Sequence, residues 1–234
     1  MNTSFQDTDV SRYMKNQESI TLEEQEMLWD AHVLVAGAGG LGGFLIEMLA
    51  RAGIGRLTIV DGDCFELSNL NRQILALETT LGRSKAEIAG ERVRAINNRI
   101  QCSLVPEFLS EETFFAHCTD VHLVADALGG LASHLALFHA CRQAGLPLVT
   151  GSVAGWTGIA ATVLPGSPGP ELLWQGQDGE DAEKVLGSLA PVAALVASVQ
   201  CTEIMRFLTG KQPALAGRLL VADLASMVFD VLEL

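Results

Sequence analysis

Gly37, Gly39 and Gly42 stand in the spacing Gly-x-Gly-x-x-Gly, with Gly40 inside it, and behind them in chain order come Asp61, Asp63, Asn69, Arg72, Gln73, Lys85 and Asp126. In that order, the glycines, Asp61, Arg72 and Lys85 could hold a nucleotide. Glycines so spaced permit a tight turn, an approach of bare backbone to phosphate, and close packing of a helix on a strand. The N-terminus of the helix that follows offers unpaired N–H groups to an anion. Asp61 lies about twenty residues past the last glycine, where a ribose-binding acid is expected. Arg72 and Lys85 add positive charge for phosphates.

Chemistry of this kind needs a strand before the glycines and a helix after them. His32-Val33-Leu34-Val35-Ala36 is a short apolar run, and Phe44 to Ala52 carries apolar residues three and four apart. A second apolar run, Leu57 to Val60, ends at Asp61 and completes a strand–helix–strand unit. Thr21 with Glu24 forms a capping-box pattern for a helix over residues 21–29. Beyond the unit, the pattern predicts a helix over 78–97 with Lys85 in its first turns and Arg92, Arg94 and Arg99 on a solvated face. It continues with a strand over 101–106, a helix over 110–118, a strand over 121–125, a helix over 131–144 and a strand from Pro147. From Gly155 the character changes. Residues 159–164 read as a strand, 175–184 as a mobile loop, 186–201 as a buried helix capped by Gly210, and 219–232 as a hairpin. The expected class is α/β: a Rossmann-like, mainly parallel sheet flanked by helices and extended by antiparallel C-terminal strands. Residues 1–30 would form an N-terminal helical arm, loose over 1–9, and 31–234 a single domain.

Composition narrows the partners. A chain of 234 residues that is 49% hydrophobic with few aromatics suits one domain with an aliphatic core. The net charge of −13 excludes nucleic acid or an anionic membrane as the main partner. Residues 51–99 depart from that balance, with eight Lys and Arg against six acids, so phosphates could be met locally. Cys64, Cys102, Cys118, Cys141 and Cys201 form no C-x-x-C pair, which implies neither a zinc knuckle nor a disulfide framework and fits a reduced cytoplasm. Residues 1–18 are polar and lack the apolar core of a secretory signal, and the apolar run 186–201 falls short of the ~20 residues that span a bilayer.

Gly37-Ala38-Gly39-Gly40-Leu41-Gly42, then Asp61-Gly62-Asp63, then Leu67-Ser68-Asn69-Leu70-Asn71-Arg72-Gln73, then Lys85, resembles the ThiF/MoeB/HesA family of E1-like adenylyltransferases. The match in order and spacing runs from residue 12 to 234. The resemblance implies an adenylation domain that binds ATP and Mg²⁺ and activates the C-terminal glycine carboxylate of a small ubiquitin-like sulfur carrier ending in Gly-Gly, of molybdopterin, tungstopterin or thiamine type. It implies a homodimer in which a residue of the opening R-Y-x-R-Q reaches the partner's phosphates; that position is Lys15 here, followed by Asn16. Arg72, Lys85 and Lys15 would neutralise charge, Asp61 would hold the ribose and Asn69 would support the phosphate end.

This chain departs from the family pattern at the metal and at the cysteines. Where the family has D-x-x-D-N, with the second aspartate on Mg²⁺, this chain has Asp126 aligned with the first and Gly129-Gly130 at the second. Asp126 is therefore the expected Mg²⁺ carboxylate. Glu171-Leu172-Leu173-Trp174 replaces a zinc-binding C-x-x-C, and Glu183-Lys184 lies near the mobile cysteine of some members, so neither zinc nor a covalent thiol is expected. These losses also suit a non-catalytic nucleotide-binding or carrier-binding dimer of the same fold. An enzyme acting on another carboxylate, as in tRNA-modifying relatives, meets the acidic charge as an objection, and the run Asn69 to Gln73 sits badly with a nicotinamide dehydrogenase.

Overall fold

The computed structural model describes residues 11–170 and 182–234. One eight-stranded sheet runs through it in the order β3-β2-β1-β4-β5-β6-β7-β8. Strands β1 (His32–Ala36), β2 (Arg56–Val60), β3 (Gln101–Val105), β4 (Leu123–Asp126) and β5 (Leu148–Ala154) are parallel. Strands β6 (Thr157–Val163), β7 (Arg218–Asp223) and β8 (Val228–Glu233) add antiparallel pairs, as expected of the C-terminal part.

The inner parallel strands are mostly apolar because both faces are covered, whereas the edge strand β3 exposes Gln101 and Ser103. Alternation along β1 makes this plain. Val33 and Val35 join the core beneath helices α1 (Leu22–Asp30), α2 (Gly40–Ala52), α3 (Lys85–Ile96) and α7 (Ala190–Leu208). Leu34 and Ala36 join a second core with Phe114 of α4 (Glu111–His117) and with Leu137, Phe138 and Cys141 of α5 (Leu131–Ala144). The thiols of Cys141 and Cys201 are pushed up by burial, Cys201 to about 12.

Helix α1 starts where its capping box predicts: Glu24 N donates to Thr21 Oγ1 at 3.2 Å, and Thr21 N to Glu24 Oε2 at 2.9 Å. The segment before it is tied down by Tyr13, which is 3% exposed and accepts a hydrogen bond from Asn97 Nδ2.

Two helices begin later than the periodicity predicts. Residues 78–97 are not one helix: Glu78–Thr80 is an isolated 3₁₀ turn, and α3 starts at Lys85. Thr80 Oγ1 takes the Leu77 N–H, and Gly82 turns the chain at φ +77°, so the hydrogen bonds that would continue the helix are not made. Ser84 then caps α3, placing Lys85 at its first position. Helix α7 starts at Ala190 rather than 186, after Gly187 at φ +72° and with Pro191 in its first turn. It is long and apolar enough to cross a membrane, yet it packs in the main core, where its buried Glu203 accepts from Thr162 Oγ1 and from the Ala214 and Leu215 N–H groups. Short helix α6 (Ala182–Leu186) precedes it, in the stretch expected as a loop. The remainder of that loop, and the readings of residues 1–9 and 171–174, lie outside the described residues.

Arg92 is not merely solvated. Its guanidinium forks onto Glu47 of α2, with Nε at 2.6 Å and Nη2 at 2.9 Å, and joins the two helices.

Candidate functional site

A cleft of about 920 Å³ opens along the carboxyl ends of the parallel strands. This edge is where open α/β sheets bind ligands. The loop after β1 forms its floor with Gly37, Gly39 and Gly40; the loop after β2 gives Asp61 and Asp63; the loop after β4 gives Gly129 and Gly130; and Glu183 with Ser188 stands opposite.

The glycine loop is packed as its spacing requires. Gly37 has φ +98°, and a Cβ there would lie 2.5 Å from Ala127 O. A Cβ at Gly42 would meet Gly37 O at 2.0 Å, so Gly42 sets the closeness of α2 to β1 without lining the cleft. Gly39 caps α2 without a side chain and leaves the helix N-terminus facing the cleft. Asp61 secures this loop, its Oδ2 accepting from Ala38 N at 2.7 Å and its Oδ1 from Asp63 N at 2.9 Å.

Positive charge converges from the other side. Lys85, 6% exposed, places Nζ 3.1 Å from Asp63 Oδ2. Arg72 lies over Gly40, whose added Cβ would sit 3.8 Å from Arg72 Cγ, and its Nη1 is oriented by Ser68 O and Asn71 Oδ1. Gln73 walls the cleft beside Gly39; it is 6% exposed and its Oε1 has no hydrogen-bond partner. An acceptor buried without a partner costs free energy, so Gln73 is a group a ligand donor would satisfy.

Asn69 does not line the cleft. Its Oδ1 accepts from Glu66 N at 3.1 Å and its carbonyl from Gln73 N at 2.9 Å, so it shapes the turn that presents Arg72 and Gln73. Lys15 lies outside this chain's own cleft, on an exposed 3₁₀ turn.

Asp126 corrects the expectation of a metal carboxylate. It is 0% exposed and does not line the cleft. Its Oδ2 accepts from His134 Nδ1 at 2.7 Å and Thr150 Oγ1 at 2.8 Å, its Oδ1 accepts from Leu128 N, and its carbonyl accepts from Gln200 Nε2. A hard cation that keeps several waters cannot reach a carboxylate spent in this way. Asp126 is a structural acid joining β4, β5, α5 and α7.

The sequence reading also missed wall residues. Phe108 and Leu109, from the loop after β3, cover the Asp61 end, with Phe108 N only 2.5 Å from a Cβ added at Gly62. An apolar pair between Pro106 and Ser110, just past a strand, is the signal that could have found them. Glu183 left no such signal.

The model of the ThiF family matches residues 10–234. The SAMP-activating enzyme E1 of Haloferax volcanii is 32% identical, over 98% of this chain and 87% of that protein. The sulfur carrier protein ThiS adenylyltransferase of Escherichia coli is 30% identical, over 93% of this chain and 88% of that one. The adenylyltransferase and sulfurtransferase MOCS3 of Dictyostelium discoideum is 32% identical, but this chain spans only 52% of its length. Among solved structures, PaaA superposes at a TM-score of 0.82 with 21% identity over 100% of this chain and 76% of its own. E. coli MccB with ATP superposes at 0.80 with 18% identity over 99% and 72%; both likenesses concern the fold alone.

Proposed function

The chain belongs to the ThiF family, and from that premise we propose that it is an ATP-dependent adenylyltransferase for the C-terminal glycine carboxylate of a small ubiquitin-like sulfur carrier ending in Gly-Gly. One observation carries the reading. Arg72 and Lys85 flank the glycine loop across a single cleft whose loop backbone is fixed by the Asp61 carboxylate.

The base of the nucleotide lies towards Phe108 and Leu109, the ribose at Asp61, and the phosphates over Gly39 and Gly40 at the N-terminus of α2. That order along the sheet leaves the wall of Ser152, Gly187, Ser188 and Ala193 for the carrier's tail. A carboxylate oxygen of the tail attacks the α-phosphorus, the bond from that phosphorus to the bridging oxygen breaks, and pyrophosphate leaves. Arg72 and Lys85 stabilise the charge that develops, Asp63 holds Lys85 in place, and the cleft positions the reactants. Lys15 of a second copy adds charge if the protein dimerises as the resemblance implies, and a reduced cytoplasm suits the free thiols. Mg²⁺ bound with ATP would neutralise the departing pyrophosphate, with a protein ligand other than Asp126.

ATP–pyrophosphate exchange tests the reading, with Mg²⁺ and with or without a carrier ending in Gly-Gly. Carrier-dependent exchange that falls by about 10²-fold or more in Arg72→Ala supports it. ATP binding without exchange, across carriers of the molybdopterin and thiamine types, overturns it in favour of a binding protein.

A further inference from the structure

Three acids and three bases line the cleft, Asp61, Asp63 and Glu183 against Arg72, Lys85 and Lys184. Two of the bases face acids: Lys85 Nζ lies 3.1 Å from Asp63 and Arg72 Nε 3.9 Å from Glu183. Lys184 is exposed and forms no ion pair among the described residues. Its place in the chain sets where that charge stands. Glu183, one residue earlier on α6, reaches Arg72, and Arg72 lies over Gly40 at the start of α2. Oε2 of Glu183 is also the nearest neighbour of a Cβ added at Gly129, at 3.7 Å. The first turn of α6 therefore stands where Arg72, the start of α2 and the loop after β4 come together.

We propose that Lys184 holds the β- and γ-phosphates of the bound nucleotide and then the pyrophosphate that leaves, an assignment that rests on the nucleotide reading above. Charge decides the matter. A triphosphate brings more negative charge than Arg72 and Lys85 can neutralise while each faces an acid, and a chain of net charge −13 supplies no favourable background. Lys184 is the cleft cation whose charge no neighbouring acid offsets. A lysine on a flexible stem acts as a point charge that can follow the phosphates, and an exposed position leaves it free to do so. As the carboxylate oxygen bonds to the α-phosphorus, the electron pair of the breaking P–O bond passes to the bridging oxygen. The ammonium then stabilises the pyrophosphate on which that charge collects. The α-phosphate, which ATP and AMP share, is left to the glycine loop.

The test is calorimetric titration of the full chain with an α,β-methylene ATP analogue, with inorganic pyrophosphate and with AMP, each at low and high salt. The variants are Lys184→Met and Lys184→Arg. Lys184→Met is expected to weaken the analogue and pyrophosphate by about 10-fold at low ionic strength, with the gap narrowing as salt rises. AMP should bind as before, which also shows that the variant is folded, and Lys184→Arg should recover most of the loss. Unchanged analogue and pyrophosphate affinity in Lys184→Met, or an equal loss for AMP, overturns this assignment and leaves the adenylyltransferase reading intact. No nucleotide binding by the unaltered chain overturns both.

Discussion

Lys85 Nζ and Asp63 Oδ2 lie 3.1 Å apart, one at the first position of α3 and the other just past β2. The pair fixes a nearly buried ammonium in the cleft that the glycine loop also lines, and that geometry gives unequal expectations for its members. Lys85→Met should lower the exchange rate by about 10²-fold, because on the proposed reading it removes a donor to the transferring phosphate. Asp63→Asn keeps the donor but loosens its aim, so it should cost less and show mainly in kcat. Steady-state exchange kinetics on both variants checks the order.

The glycines of the loop should separate by readout. Gly42→Ala drives a methyl to 2.0 Å from Gly37 O, so backbone must move and both thermal stability and nucleotide binding should fall. Gly39→Ala meets only the Gln73 amide, at 3.6 Å, so the protein should keep its Tm and lose nucleotide affinity alone. Thermal denaturation with and without an ATP analogue distinguishes the cases.

Asp126→Ala should unfold the protein more readily rather than strip it of metal. His134, Thr150 and Leu128 N lose their acceptor. Each buried group left without a partner costs roughly 1–3 kcal/mol. For a domain of this size each kcal/mol lowers Tm by roughly 2–4 °C. Calorimetry measures the drop, and Mn²⁺ affinity in the folded fraction should not change.

The clasp between α2 and α3 should weaken in acid. Burial raises the Glu47 carboxyl, but hydrogen bonds and charge from Arg92 and Arg51 more than offset this and hold it below its ordinary 4.5. A depressed carboxyl contributes stability that is fully present above the ordinary value and is lost as pH falls through the lower folded value. Glu47→Gln should therefore cost roughly 1 kcal/mol near neutrality, kept small by water around the half-exposed guanidinium groups. Urea unfolding should show that difference vanishing in strong acid.

Iodoacetamide at mildly alkaline pH should alkylate Cys64 in the native protein and spare Cys102, Cys141 and Cys201 until it is denatured. Cys64 is exposed, whereas burial pushes Cys102 up to about 11, Cys201 to about 12 and Cys141 further still. Mass spectrometry of the digests reads this directly.

The strand–helix–strand unit was legible because each apolar run is bounded by glycine or aspartate and has the length of its element. Local chemistry also marked the cap at Thr21 and the hairpin at the end of the chain. Long-range partners were not visible. Asp126 stands at a strand end where an acid could face a ligand, and only folding brings His134 from the next helix and Thr150 from the next strand onto it. Apolar periodicity could not show that Thr80 and Gly82 break the stretch before Lys85, because side-chain capping and a left-handed turn leave that pattern intact. Glu183 reaches Gly129 across more than fifty positions of sequence, and spacing carries no information about such a meeting.

Asn71 Nδ2 donates to Ser188 O at 3.3 Å, a contact between residues 117 apart in the chain. During synthesis, a chain that has emerged through β5 already owns the glycine loop, Asp61, Arg72 and Lys85, but the wall that Ser188 brings has yet to be made. Closing so long a loop is entropically costly and slow compared with forming the local turns. An incomplete polypeptide therefore lacks this wall of the cleft until the segment carrying Ser188 has emerged and packed against Asn71.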